Sequence, residues 1–428
     1  MKSLFTTLIF ICVAGQFTNS QNLFDEEDVP ELSGNSIRQE QMEQFANAGT
    51  DEPTDSNSMT TLLMQYLQSG FSSNKRSSRC ALSKEVYGYH PFWYGSAYYN
   101  YYDFSLLSTF SYFSYELNPN TGGYKTVHSW ATTNAITYAQ MAGCKVELCV
   151  TNFGFDNNTR FLRNPKAWNN LADQLIKLLN QRRADGINLD FEQIYKADKP
   201  NLTKFVAYLH NRFNTERPGT TITMAVPAID HQGAFDVLAL NPYIKLFIIM
   251  GYDYFCAGSK HAGPVAPLEG KYSQKATLNT YLNSGVHPEH FILAVPYYGR
   301  EWTTQSSTVP SNTTAYIQSP TYSQIKNTYS SKYKERWDNR SATPYIIKGP
   351  KEKITQCWFE NTESLNQKYD LAYEYQLGGV GIWALGYDNG HTDLWDLLEL
   401  KFMDCSGNSS GAKRKPYYQK LIEDYFKN

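Results

Sequence analysis

Charge is scarce in this sequence and neither sign prevails. Lys and Arg number 39 against 41 Asp and Glu, a net charge of −2, and charged residues are 19% of the 428. The main electrostatic drive towards nucleic acid or an anionic membrane is therefore missing. No stretch approaches 18 consecutive apolar residues, so no membrane span is expected. Eight histidines include no H-E-x-x-H, and no Cys/His spacing matches a zinc site. No G-x-S-x-G marks a serine-hydrolase elbow. The first strand-like run, Val86-Tyr-Gly-Tyr-His-Pro-Phe-Trp93, has no phosphate-binding glycine loop after it, which argues against a doubly wound nucleotide-binding sheet. Neither a metal nor an organic cofactor is expected.

Aromatic residues are plentiful: 15% of the chain, with 33 Tyr and 8 Trp. Aromatic faces stack on the apolar faces of sugar rings, and they also fill cores. Lys2, the apolar run Leu4 to Val13 and the small residues up to Ser20 read as a secretory signal peptide, 1–20. Export places the protein outside the cell, or in a lysosome-like compartment if the source is eukaryotic. Residues 21–79 read as a poorly ordered leader, acidic at Asp25 to Asp28, with a helix expected near Met59–Gln68 and a basic pair at Lys75-Arg76. Residues 406–428 read as a solvated tail. A monomer is expected.

From residue 84 the texture changes. Strand-like runs at Val86–His90, Thr109–Tyr115, Val146–Asn152, Ile187–Phe191, Thr221–Pro227, Leu246–Tyr252, Ile292–Pro296 and Val380–Leu385 alternate with helical patterns such as Lys166–Arg183, Leu202–Phe213 and Asp393–Leu400. Eight such strands between helices predict an α/β fold, a closed (β/α)8 barrel over 80–405, with a small α+β insertion at about 303–361 after the seventh strand. Closure makes the first and last units neighbours, so Cys80 and Cys405 are expected to form a disulfide. Cys144 and Cys149, about 16 Å apart if both lie on one extended strand, are not expected to pair with each other.

The segment carrying chemistry is Asp185-Gly-Ile-Asn-Leu-Asp-Phe-Glu192. On a strand, Ile187, Leu189 and Phe191 face the outer helices, while Asn188, Asp190 and Glu192 face the barrel interior. Interior positions of such barrels are normally branched and apolar. Glu192 falls at the C-terminal end, where barrel active sites lie. Asp190 and Glu192 stand about 7 Å apart on one face. Two-carboxylate glycosidases flank the scissile bond from both sides, so this pair cannot supply both acid and nucleophile. A neighbouring carboxylate and burial both raise the Glu192 pKa, as a proton donor requires.

This segment resembles the D-G-x-x-x-D-x-E signature of glycoside hydrolase family 18, the chitinase-like enzymes. Met250-Gly-Tyr-Asp253, Ala294 to Arg300 and Gly378 to Trp383 resemble the family's sixth-, seventh- and eighth-strand segments in order. The resemblance implies a glycosidase acting on β-1,4-linked N-acetylglucosamine in chitin or chitooligosaccharides. Glu192 would protonate the leaving oxygen and the substrate's own acetamido carbonyl would attack. Asp190 would hold the acetamido N–H, with Tyr252 on the acetamido oxygen. Asp253 would contact the sugar, Met250 would wall the acetamido pocket and Trp383 would stack beneath. Asn188, Tyr298 and Arg300 would complete the site. Trp93, in the aromatic run after the first strand, is a further subsite candidate; His231 after the fifth is a weaker one.

Two departures qualify the expectation. Asn188 stands where chitinases usually carry Asp; the chitobiase-type branch and some bacterial relatives resemble this chain in carrying Asn there. Val150-Thr-Asn-Phe-Gly154 replaces the family's S-x-G-G. An endo-β-N-acetylglucosaminidase acting on N-glycans or peptidoglycan, and a non-catalytic chitinase-like lectin, stay open as alternatives.

Overall fold

The computed structural model describes residues 35–47, which contain helix α1 (Ile37–Gln44), and residues 80–405. The expected signal peptide, the Met59–Gln68 helix, Lys75-Arg76 and the tail from 406 lie outside the described residues.

Eight parallel strands follow: β1 (Glu85–Pro91), β2 (Thr109–Leu117), β3 (Lys145–Phe153), β4 (Gly186–Glu192), β5 (Thr221–Pro227), β6 (Leu246–Met250), β7 (Phe291–Pro296) and β8 (Gly379–Trp383). Each pairs with the next, and β8 pairs back onto β1, so the sheet closes into a barrel. Alternation along β4 sorts its residues as the pattern requires. Phe191 points outwards and meets Phe161 and Phe205 on the surrounding helices, at centroid distances of 5.6 and 5.7 Å. At the start of β4 a Cβ on Gly186 would lie 2.3 Å from the Thr221 carbonyl oxygen, so only glycine lets β4 close on β5 there.

The outer helices obey local rules. Helix α2 (Pro165–Arg182) begins with Pro165 in its first turn and with the Asn164 side chain accepting from the Ala167 N–H, and it ends at Arg183 in left-handed backbone, φ 50°. Ala167, Trp168, Leu171, Ala172, Leu175, Leu178 and Leu179 make its buried stripe. Each large apolar side chain so buried contributes about 1.5–3 kcal/mol. Helices α3 (Lys199–Glu216), α4 (Thr362–Glu374) and α5 (Asp393–Phe402) each bury an apolar face as well. No helix among the described residues is long and apolar enough to cross a membrane.

Between β7 and α4 the chain builds the expected insertion. Strands Arg300–Thr304, Ser311–Gln318, Glu335–Asp338, Thr343–Lys348 and Ile354–Trp358 form an antiparallel sheet, with a helical stretch at Tyr322–Ser330. Trp302 and Trp358 fill its core beside Tyr254. Its first residue, Arg300, starts three positions before the expected boundary and is wholly buried against the barrel mouth.

Cys80–Leu82 pairs antiparallel with Met403–Cys405, and a Cys80–Cys405 disulfide fastens the two ends of the barrel. Cys144 and Cys149 are not joined to each other; the Cys144 thiol donates to the Phe104 and Leu107 carbonyls. The sixth strand stops at Met250 rather than Tyr252. Gly251 closes on the Ala294 carbonyl oxygen, and Asp253 takes left-handed backbone, φ 60°, which turns Tyr252 and Asp253 out of the sheet and over the mouth.

One expectation fails. A poorly ordered leader does not describe residues 35–47: they form α1, and α1 lies in the C-terminal mouth of the barrel. The acidic run Asp25 to Asp28 and the Ser/Asn-rich end of 21–79 point to solvated chain, and Ile37 to Gln44 adds only two apolar residues, Ile37 and Met42. Its partners are mixed: Ile37 and Phe45 pack on apolar and aromatic surface, while Arg38, Glu40 and Gln41 take polar groups of the mouth.

Candidate active site

The barrel interior is polar in layers below the mouth. Glu147 of β3, fully buried, accepts from Tyr87 Oη at 2.7 Å, Thr223 Oγ1 at 2.6 Å and Thr221 Oγ1 at 3.1 Å. Burial pushes its carboxyl up to about 7, against the pull of these hydroxyls. One layer higher, Asn188 donates to Thr223 Oγ1 at 2.9 Å and accepts from Tyr89 Oη at 3.2 Å. Asn188 is thus held on both its amide atoms, so its orientation is fixed beneath Asp190.

Above it stand Asp190 and Glu192. Asp190 is wholly buried; its Oδ2 lies 3.0 Å from Arg38 Nη1 of α1. Burial raises the Asp190 carboxyl and the guanidinium opposes that rise. Glu192 ends β4, and Gln193 after it takes left-handed backbone, φ 62°. Burial, then the charge of Asp190, push the Glu192 carboxyl up to about 8, with the Ser36 side chain and Arg38 pulling the other way. Its Oε1 is buried without a hydrogen-bond partner among the described residues, as is Asp190 Oδ1. A proton on this carboxyl at neutral pH makes it a donor rather than a nucleophile.

The far wall comes from β6, β7 and β8. Tyr252 Oη lies 3.0 Å from Arg38 Nε. Asp253 Oδ1 accepts from Tyr298 Oη at 2.6 Å and from Arg300 Nη2 and Nε at 2.9 and 3.2 Å, while its Oδ2 accepts from the Ile37 N–H at 3.0 Å. Trp383 forms the floor, edge-on to Phe113 and tilted against Tyr89. Met250, nearly buried, closes the end of β6.

Glu192, Asp190, Tyr252, Asp253, Trp383, Tyr298 and Arg300 therefore gather around one spot, with Asn188 beneath. That spot holds the guanidinium of Arg38, 4.0 Å from the Tyr89 ring centroid and 4.5 Å from that of Trp383. Trp93 lies further along the rim, stacked on Phe45 with centroids 5.0 Å apart. His231 sits on the exposed loop after β5. Sequence reasoning missed Tyr387, whose hydroxyl donates to Gln41 Oε1 at 2.5 Å, and Glu147. A signal for Glu147 existed: a lone acid in the apolar run Val146 to Val150, at an inward position.

The model of glycosyl hydrolases family 18 matches residues 151–388. A putative sporulation-specific glycosylase of Bacillus subtilis is 28% identical over 292 residues, 65% of this chain and 66% of that protein. The chain thus spans just under two thirds of that relative's length. Human di-N-acetylchitobiase is 24% identical over 261 residues, 54% of this chain and 67% of that one. Among solved structures, a GH18 chitinase from Cycas revoluta in complex with (GlcNAc)3 superposes with a TM-score of 0.66 at 19% identity, covering 75% of this chain and 99% of its own. A chitinase-like agglutinin from Robinia pseudoacacia gives 0.64 at 20% identity, with 75% and 99% covered. At those identities the two structures speak for the fold alone. With more than half of its length matched by the family model, the chain belongs to glycosyl hydrolase family 18 and is a chitinase-like glycosidase.

Proposed function

We propose that the protein cleaves β-1,4-linked N-acetylglucosamine glycans, chitin fragments or chitooligosaccharides, by substrate-assisted hydrolysis that retains the β-configuration. The carrying observation is the disposition of carboxylates. Asp190 and Glu192 rise from one strand face, and the next carboxyl at the mouth, Asp253, is tied to Tyr298 and Arg300. A retaining enzyme with its own nucleophile needs two carboxyl groups about 5 Å apart across the bond. Attack by the acetamido carbonyl removes that need.

The residues then have distinct tasks. Glu192, kept protonated by burial and by Asp190, gives its proton to the leaving oxygen. Asp190 holds the acetamido N–H and faces the positive charge that develops on ring closure. Tyr252 bonds the acetamido oxygen, Trp383 lies under the sugar and Met250 bounds the acetamido pocket. Asp253 bonds the sugar, positioned by Arg300 and Tyr298. Trp93 offers a second stacking surface, and Asn188 fixes the floor under Asp190. The protein works outside the cell as a monomer; the disulfide fits an exported chain.

A product analysis tests this. NMR of the first-formed anomer from chitotetraose should show β, and cellotetraose should be inert. An anchored intramolecular nucleophile can be worth roughly 7 kcal/mol or more, so discrimination against glucosides should be far more than a few-fold. An α-product, or brisk cleavage of cellotetraose, overturns the mechanism. High-mannose N-glycans and peptidoglycan belong in the same panel, because one relative is named a sporulation-specific glycosylase.

A further inference from the structure

We propose that residues 35–45 are a built-in inhibitor of the sugar site, in which Arg38 occupies the place of the N-acetyl sugar next to the scissile bond and α1 bars the cleft until the segment is displaced. The inference rests on the sugar-site reading above and concerns its regulation.

The contacts of α1 follow the site's own chemistry one by one. The flat guanidinium of Arg38 lies on Tyr89 and Trp383 as the apolar face of a sugar would. It gives an N–H to Asp190, the acceptor proposed for the acetamido N–H, and another to Tyr252. Its positive charge stands where charge develops during oxazolinium formation, so Asp190 meets in Arg38 the charge it is built to face. The Ile37 N–H takes Asp253, and Glu40 takes the remaining arm of Arg300 at 2.7 Å. Gln41 Oε1 accepts both the Trp383 indole N–H, at 3.0 Å, and the Tyr387 hydroxyl. One turn on, Phe45 covers Trp93, the neighbouring stacking surface. No sugar can bind there while these side chains remain. The space left beside α1, about 230 Å³, is lined by Gln39, Met42 and Glu43 together with Thr151 and Asn152.

The helix has no independent reason to exist at this place. Eight residues are too few for a stable helix in water. Its only cap is Ser36, accepting from the Gln39 N–H at 3.2 Å. Order in α1 therefore comes from the cleft. Ile37, Arg38, Gln41 and Phe45 share the face turned into the site, and Gln39 and Glu43 border the space left beside it. The fit is also imperfect. Arg38 Nη2, Asp190 Oδ1 and Glu192 Oε1 are buried with no hydrogen-bond partner among the described residues. A glycan that satisfied the two carboxylates would compete well, which suits an inhibitor that must be released. Residues 48–79 tie the segment to the barrel, so it acts at the high local concentration of a tethered ligand.

The test uses the full chain, wild type against Arg38→Ala, Arg38→Lys and Arg38→Ala/Gln41→Ala. Chitotetraose binding is measured by calorimetry, turnover with a chromogenic N-acetylglucosaminide oligomer, and exposure of the segment by hydrogen exchange of its amides from 37 to 45. Occlusion lowers apparent affinity by the fraction of open molecules. The double variant should bind and turn over at least ten-fold better than wild type, with Arg38→Lys between them. Chitotetraose should speed exchange of amides 37–45 in the wild type, because each excludes the other. The proposal fails if binding and turnover stay within two-fold while those amides become unprotected. It fails equally if the sugar saturates the wild type without changing their exchange. If no form binds or cleaves any N-acetylglucosaminide, the sugar reading has failed and exchange alone decides. Protection in the wild type that is lost in the double variant upholds the plug; unprotected amides in the wild type refute it.

Discussion

Replacing Glu147 by glutamine should change the pH dependence of stability in a way set by its surroundings. Glu147 is buried inside the barrel, where it accepts from three hydroxyls and forms no salt bridge among the described residues. Burial takes its carboxyl from 4.5 to about 7. Between those values the folded chain holds a proton that the unfolded chain has given up, so stability must fall as pH rises through that window. A shift of roughly 2.5 pH units at about 1.36 kcal/mol each is a loss of about 3 kcal/mol, complete near pH 8. Glu147→Gln resembles the protonated acid in shape and cannot ionise. Its amide costs little at pH 5, because Tyr87 and Thr223 can turn their hydroxyls to accept. Urea unfolding of both proteins, without reductant and at pH 5, 6, 7 and 8, measures the difference. The gap should move in favour of the variant by roughly 2–3 kcal/mol from pH 5 to pH 8. All other carboxyls titrate alike in the two proteins and cancel. A gap constant over that range would falsify the assignment and would mean that Glu147 is ionised throughout.

Glu192→Gln in the Arg38→Ala background should lower kcat at least ~10²-fold with chitotetraose affinity kept within a few-fold, since the amide cannot donate the proton that general acid catalysis requires; wild-type-like turnover removes Glu192 from the mechanism. Arg300→Lys keeps the charge but loses the two-nitrogen hold on Asp253. In the same background it should raise KM about ten-fold more than it lowers kcat, because the Asp253 contact is to bound sugar in ground and transition state alike. The disulfide closes a sequence separation of 325 residues. Cys80→Ser/Cys405→Ser should lower stability by about 2–5 kcal/mol, read as a drop in the melting midpoint under non-reducing conditions.

The barrel was legible because its determinants are local. Each strand needs a short apolar run between turn signals, and each outer helix a stripe such as Ala167 to Leu179. Strand β4 was legible in more detail. Alternation alone separated Phe191, packed on outer helices, from Asp190 and Glu192, and the same alternation barred the two acids from attacking a bond from opposite sides. Strand ends were less accessible. Leu246 to Met250 is a strand and Tyr252 is not, and the reason is a tertiary contact: Gly251 against the Ala294 carbonyl of β7. Nothing within the run Leu246–Tyr252 announces that contact.

Helix α1 shows where sequence reading stops. The usual signal for a docked helix is an apolar stripe, because the surface it covers is normally apolar. Here the surface is the proposed sugar site, whose groups are carboxylates, phenols, a guanidinium and an indole N–H. A segment complementary to it must carry Arg38, Glu40 and Gln41 at those places, and so it looks like solvated chain. The clue lies in the site: two buried acids, Asp190 and Glu192, with no cation from the barrel beside them. A carboxylate buried under α1 with no cation beside it would be costly. A chain that supplies its own Arg38 relieves that cost for as long as the substrate is away. Stability and inhibition then come from the same contacts, so variants that open the cleft should be the less stable ones.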